Sequence, residues 1–184
     1  MVKDRYYNHA NVIFLYIHQA GFLIYYLNHN LHKKLNCLNN NIETRPIIWI
    51  DDDKEDLELF ENIFKSLRLK NPIIKITESD KALQFLKEFP EQPFVIICDI
   101  NMPKISGIDL RKAMLADTLL KIKSIPFIFF STSAAPSIVL KSYDLSVQGY
   151  FVKPTNLDGI KKLLNTIIDY WAVCQHPNLN EIFY

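Results

Sequence analysis

The chain has 184 residues, of which 49% are apolar and 22% charged, with a formal net charge of +1. That length suits one domain with an extension or two very small domains, and the composition is that of a folded globular protein. The near-zero charge argues against a nucleic-acid binder that relies on a basic surface. Three widely spaced cysteines, Cys37, Cys98 and Cys174, fit neither a disulfide framework nor a zinc site, so a reducing, cytoplasmic setting is expected.

Residues 1–44 stand apart as an extension rich in Asn, Tyr and His, with an apolar stretch from Val12 to Leu27. His18, Gln19 and Gly21 interrupt that stretch, which is short for a membrane span. Lys3, Arg5 and His9 precede it in the manner of a signal peptide, but no small-x-small cleavage site follows. A tyrosine-rich amphipathic helix and upstream sequence with no fold of its own are the other readings. Membrane association is not expected.

From residue 45 to 172 strands alternate with helices. Ile47–Ile50 reads as a buried strand, and Asp53 as the N-cap of a helix with Glu55 and Asp56 in its first turn. Leu57, Phe60, Ile63, Phe64 and Leu67 follow at helical spacing, and Asn71-Pro72 is expected to end the helix. Ile73–Ile76 is a second strand. Ser79 is expected to cap a helix running through Phe89. Phe94–Cys98, continuously apolar, suits the centre of a doubly covered sheet. A helix from Gly107 to Ala116, a strand at Phe127–Phe130, a helix at Ser137–Leu145 and a strand at Gly149–Val152 complete the alternation. A final helix from Asn156 to Trp171 carries a stripe of Leu157, Ile160, Leu163, Leu164, Ile167, Ile168 and Trp171. The fold class is therefore α/β: a doubly wound, five-stranded parallel sheet covered on both faces. Residues 173–184 form a tail ending in Phe183-Tyr184, too short for an output domain, so output is expected from this domain's surface or from the extension.

The chemistry collects where strands stop. Asp51 and Asp52 follow the first strand, Asp99 the third, Ser131 the fourth and Lys153 the fifth. In a parallel sheet these residues share one edge and converge on one pocket. Three carboxylates, a hydroxyl and an ammonium suit a divalent cation and a phosphoryl group. Mg²⁺ takes oxygen ligands, and Asp52, Asp99 and the backbone carbonyl of Asn101 could supply them, with Asp51 orienting a bound water. Read alone, Asp51-Asp52-Asp53 equally suits a capped helix start with solvated charge. Ser131 alone suits a strand-end hydrogen bond and Lys153 alone a solvated charge. A carboxylate such as Asp99 is a competent nucleophile toward phosphoryl groups, and the transfer needs in-line positioning and neutralised charge rather than further covalent help.

The run CDINMPKISG, the acidic IDDD and the interval from Ile125-Pro126 to Lys153-Pro154 resemble the receiver domain of two-component response regulators, chemotaxis-type and single-domain, over about residues 46–171. The resemblance implies a flavodoxin-like form of the sheet, and that Asp99 accepts a phosphoryl group from a histidine kinase or phosphotransfer protein, with Mg²⁺ held by Asp51, Asp52, Asp99 and the Asn101 carbonyl. It implies that Lys153 bridges phosphoryl oxygens across a cis Lys153-Pro154 bond. Ser131 and Tyr150 are implied as the switch pair that biases the surface of the fourth helix, fifth strand and fifth helix toward a protein target. Asn101 and Ser133 fall where the family tunes phosphate lifetime, and Ser133, with no carboxylate, points to slow loss. A homodimer through the same surface is admitted. An alternative is a non-phosphorylated scaffold of the same fold, which has no need of all five residues. A phosphohydrolase needs a second acid two residues after the nucleophile, where Asn101 stands, so no enzyme is expected.

Overall fold

The computed structural model describes residues 44–174; the Val12–Leu27 stretch, Cys37 and the tail beyond Cys174 lie outside them. Five strands, β1 (Ile47–Ile50), β2 (Ile73–Ile76), β3 (Val95–Cys98), β4 (Phe127–Ser131) and β5 (Gly149–Val152), form one parallel sheet in the order β2-β1-β3-β4-β5. Six helices connect or follow them: α1 (Lys54–Ser66), α2 (Ser79–Glu88), α3 (Gly107–Ala116), α4 (Thr118–Lys123), α5 (Pro136–Asp144) and α6 (Leu157–Val173). The chain leaves β1 toward β2 on one side and returns to β3 on the other. That reversal opens a crevice beyond the carboxyl ends of β1 and β3.

The two faces of the sheet are packed differently. Ile48, Ile50, Ile96, Cys98, Phe127 and Phe129 point into a core closed by α2, α3 and α4 through Ala82, Leu86, Leu110, Met114 and Leu120. On the opposite face Trp49 stacks on Phe60 at 4.3 Å, and Phe64 and Phe130 meet it edge-on at 5.8 and 5.5 Å. Burying each of these large rings contributes about 1.5–3 kcal/mol. Helix α6 buries Ile160, Leu164, Ile167 and Ile168, whereas Leu157, placed in the same stripe by sequence, stands exposed at the first turn. A stripe at 3.6-residue spacing drifts off the sheet at a helix end, where no partner lies beneath it.

Other departures from the sequence reading are local. Helix α1 stops at Ser66, before Asn71-Pro72, because Leu67 caps it and Arg68 turns left-handed with φ 54°. Helix α2 begins at Ser79 itself and has no side-chain cap; the Ser79 hydroxyl is engaged elsewhere. Helix α4 was not expected from periodicity: it is a short turn started by the Asp117 carboxylate, which accepts from the Leu119 and Leu120 amides. Among the described residues no helix is long and apolar enough to cross a membrane.

Candidate functional site

The sheet ladder carries the acids to the crevice. Ile50 pairs with Cys98, and the next residue on each strand is Asp51 and Asp99. The Asp51 amide donates to Ile76 O at 3.1 Å and the Asp99 amide to Ile50 O at 2.9 Å, so both remain anchored by backbone bonds just past the strands. Likewise Lys153 N donates to Ser131 O at 2.8 Å, which fixes the last two residues of the set against each other. Gly107 lets α3 approach from below: a Cβ there would meet the Asp99 carbonyl oxygen at 2.2 Å. Only glycine fits that contact.

Around Asp99 the donors are few. Oδ2 accepts from the Asn101 amide at 3.1 Å. Oδ1 is buried and accepts no hydrogen bond among the described residues. A buried carboxylate oxygen left in that state costs free energy unless something positive reaches it. Carboxylate oxygens of Asp51, Asp52 and Asp99 all lie within 4.8 Å of one another, Asp52 being the least buried. An all-oxygen donor set with an orphaned buried oxygen and an open side fits a hard divalent cation such as Mg²⁺, which keeps several waters.

Lys153 is the cation of the pocket. Its Nζ lies 2.8 Å from Asp51 Oδ2, 2.8 Å from Asp56 Oδ2 and 4.0 Å from Asp99 Oδ1. It also sits over the Phe60 ring, 5.7 Å from the centroid. Burial pulls the lysine pKa down, but the Asp51 and Asp56 carboxylates more than offset this and the net direction is upward. Burial also pushes the Asp51 carboxyl above its ordinary value, against the pull of Lys153, and the charge of Asp99 adds to the rise. The lysine's rise reflects the carboxylates gathered around it, and the rise at Asp51 reflects chiefly its burial. The neighbouring Cys98 thiol, which donates to Asp99 O at 3.0 Å, is raised well above the ordinary value by burial and is chemically quiet.

Ser131 is fully buried and receives a long hydrogen bond, 3.4 Å, from Asn101 Nδ2, while Thr132 is exposed. Tyr150 is half-buried, its ring 6.3 Å from Phe129, and its hydroxyl donates to Ser133 O at 2.5 Å. Burial, then the nearby charge of Asp99, raises its pKa.

The structure thus gathers Asp51, Asp52, Asp99, Asn101, Ser131 and Lys153 at one edge, with Tyr150 beside the β4–α5 loop. One expectation is corrected. No cis peptide bond occurs among the described residues, so Lys153-Pro154 is trans, the form X–Pro bonds favour by about 0.5–1 kcal/mol. The ammonium enters the pocket without the isomer because Lys153 directly follows Val152, the register partner of Ser131, and its amide is bonded to Ser131 O. Two residues entered the site unannounced. Asp56 pairs with Lys153 because side chains on a first turn lean back toward the helix N-terminus, here the sheet edge; an acid three residues after the Asp53 cap was the available signal. Ser79 fastens the loop after Asp99: its Oγ donates to Pro103 O at 2.5 Å and accepts from Ile105 N at 3.3 Å.

Comparison with known proteins bears on the fold and the family. The response regulator Rcp1 of Synechocystis sp. is 27% identical over 132 residues, 69% of this chain and 88% of the relative. The chemotaxis protein CheY-3 of Vibrio cholerae is 28% identical over 133 residues, 72% of this chain and 95% of its own. A crystal structure of Rcp1 in a Mn²⁺-bound form superposes with a TM-score of 0.65 at 27% identity, covering 72% of this chain and 99% of that one. The phosphorylated cyanobacterial phytochrome response regulator RcpA shares the fold at a TM-score of 0.67 and 24% identity, over 73% and 99% of the two chains. The family model for the response regulator receiver domain matches residues 47–165, and the chain belongs to that family.

Proposed function

We propose that Asp99 is the phosphoacceptor of a two-component pathway and that the domain, residues 45–172, signals by protein contact rather than by turnover of a substrate. The observation that carries this reading is Asp99 Oδ1: buried, without a hydrogen bond, and faced by two further acids and Lys153. A phosphohistidine of a sensor kinase or phosphotransfer protein is the donor. A carboxylate oxygen of Asp99 forms the new P–O bond as the P–N bond breaks, and the leaving imidazole nitrogen takes up a proton. Asp51, Asp52, Asp99 and the Asn101 carbonyl would hold Mg²⁺, which when bound neutralises charge on the acids and on the transferred group. Lys153 supplies the second positive charge and Ser131 a hydroxyl donor. Asn101 stands where a phosphohydrolase would place its second acid, so the pocket offers no carboxylate there to activate a leaving group.

Readout belongs to the β5 edge of the sheet and the helices beside it. Of the seven exposed large apolar residues among those described, Leu140, Tyr143, Val152, Leu157, Tyr170 and Val173 lie on α5, β5 or α6, and Leu119 alone lies elsewhere, on α4. That concentration suits a protein partner or a second copy of the chain. Tyr150, in β5, links this surface to the pocket through Ser133 of the β4–α5 loop. A phosphoryl group that draws Ser131 inward shifts the population of Tyr150 positions and so the surface.

Incubation with acetyl phosphate and Mg²⁺, followed by intact mass, tests the assignment. A single phosphoryl adduct that needs Mg²⁺ and is lost in Asp99→Asn is the expected result. An adduct that survives Asp99→Asn places the acceptor elsewhere, and steady hydrolysis of a small phosphate ester would favour the hydrolase.

A further inference from the structure

We infer that Asp56 is a positioning residue for Lys153: it shares the ammonium with Asp51 while Asp99 is unmodified and lets it go when a phosphoryl group is present. The inference rests on the receiver reading of Asp99. Its basis is the lysine's choice of partners. Nζ has contacts of 2.8 Å to both Asp51 and Asp56, yet stays 4.0 Å from Asp99 Oδ1, the oxygen with no hydrogen bond. Asp99 is therefore the carboxylate with most to gain from the ammonium and the one that does not receive it.

The two holders differ in what release costs them. Asp51 is 1% exposed and its other oxygen, Oδ1, is committed to the Asp53 amide at 3.0 Å. Left without a cation, it would be an uncompensated buried charge. The Asp56 side chain is 34% exposed and sits on the first turn of α1, where water can solvate the carboxylate as the lysine leaves. Asp56 is thus the holder that can be given up cheaply. While it holds, it opposes movement of Nζ toward Asp99, so it sets part of the threshold for the phosphorylated state.

Trp49 offers an optical reading of that movement. It stacks on Phe60, and the Lys153 ammonium lies over the Phe60 ring, 5.7 Å from its centroid. With Trp171→Phe in the full chain, Trp49 is the remaining tryptophan. Beryllofluoride, a phosphoryl mimic, is titrated at saturating Mg²⁺, with Mg²⁺ saturation checked separately in each variant. Asp56→Asn is expected to bind beryllofluoride about two- to fivefold more tightly, the range of a partly exposed ion pair. Asp56→Glu, which keeps the charge, is expected to stay nearer the parent. Glu55→Gln removes the same charge from an adjacent exposed position with no contact to Lys153 and is expected to leave the affinity unchanged.

Equal or weaker binding by Asp56→Asn overturns the inference. So does an equal gain in Glu55→Gln, because Asp56 would then act only through overall charge. If the parent chain itself forms no Mg²⁺-dependent beryllofluoride complex, the receiver reading fails at that step and the inference falls with it, a result distinct from a parent that binds and a variant that matches it.

Discussion

Among the described residues, Arg111 near the amino end of the sheet and Lys153 at its carboxyl end are both largely buried cations, and they are held by opposite means. At the amino end Arg111 of α3 donates from Nε to Leu145 O at 3.1 Å and from its terminal nitrogen to Ser146 O at 2.8 Å, with its carbon 5.0 Å from the Phe127 ring centroid. These are partial charges: carbonyls at the end of α5, where the helix dipole is negative, and the face of an aromatic ring. At the carboxyl end Lys153 meets full charges, and there are more carboxylates than one ammonium can neutralise. A guanidinium satisfied by carbonyls has no alternative partner to move to. An ammonium among surplus acids has several. The first arrangement fixes α3 against α5, and the second leaves a charge free to be redistributed.

Removing each cation sharpens that contrast. Lys153→Met in EDTA leaves Asp51 buried without a counter-charge and is expected to lower unfolding stability by roughly 3 kcal/mol, the cost of breaking a buried pair from one side. Mg²⁺ should then restore more stability to the variant than it adds to the parent, since the metal takes over the neutralisation. Arg111→Met is expected to cost about 2 kcal/mol, for the two hydrogen bonds and the ring contact, by the same amount with or without Mg²⁺. Denaturant melts of both variants in EDTA and in Mg²⁺ check the pair. Equal Mg²⁺ responses would mean that the two ends do not differ in kind.

What could be read from the chain depended on whether a signal was local. Apolar runs ending in Asp51, Asp99, Ser131 and Lys153 placed all four at one sheet edge, because parallel strands share their direction. The start of α3 at Gly107 was visible too, and the 2.2 Å approach to the Asp99 carbonyl explains the glycine. Partners chosen across the fold were not visible. Ser79 looks like a cap, but tertiary structure brings the loop after Asp99 within reach, and its hydroxyl goes to Pro103 and Ile105 instead. Ser79→Ala is expected to cost about 0.5–1.5 kcal/mol, the net worth of the hydroxyl's hydrogen bonding, because Ile105 N keeps its own bond to Pro103 O at 2.8 Å. Amide exchange at Ile105 should quicken more than exchange in β3; uniform quickening would make the hydroxyl a general stability contact rather than a loop fastener.

The smallest expected effect bears most directly on the surplus of acids. In the folded chain the Asp51 pKa lies above its ordinary 3.8, burial outweighing Lys153. An acid with a raised folded pKa holds its proton more tightly when folded, so the fold is penalised once that acid ionises. The penalty is absent below pH 3.8, grows as pH rises through the folded value, and is constant above it. Without metal, Asp51→Asn should therefore be more stable than the parent at neutral pH, on the order of 1 kcal/mol or less, the scale of a net polar contribution. The two chains should converge as pH falls toward 3.8. Mg²⁺ should reverse their order, because the parent gains a neutralised carboxylate and the variant has lost a ligand. A variant less stable than the parent in EDTA at neutral pH would mean that Lys153 already compensates Asp51 fully, and that the carboxyl end is as settled as the amino end.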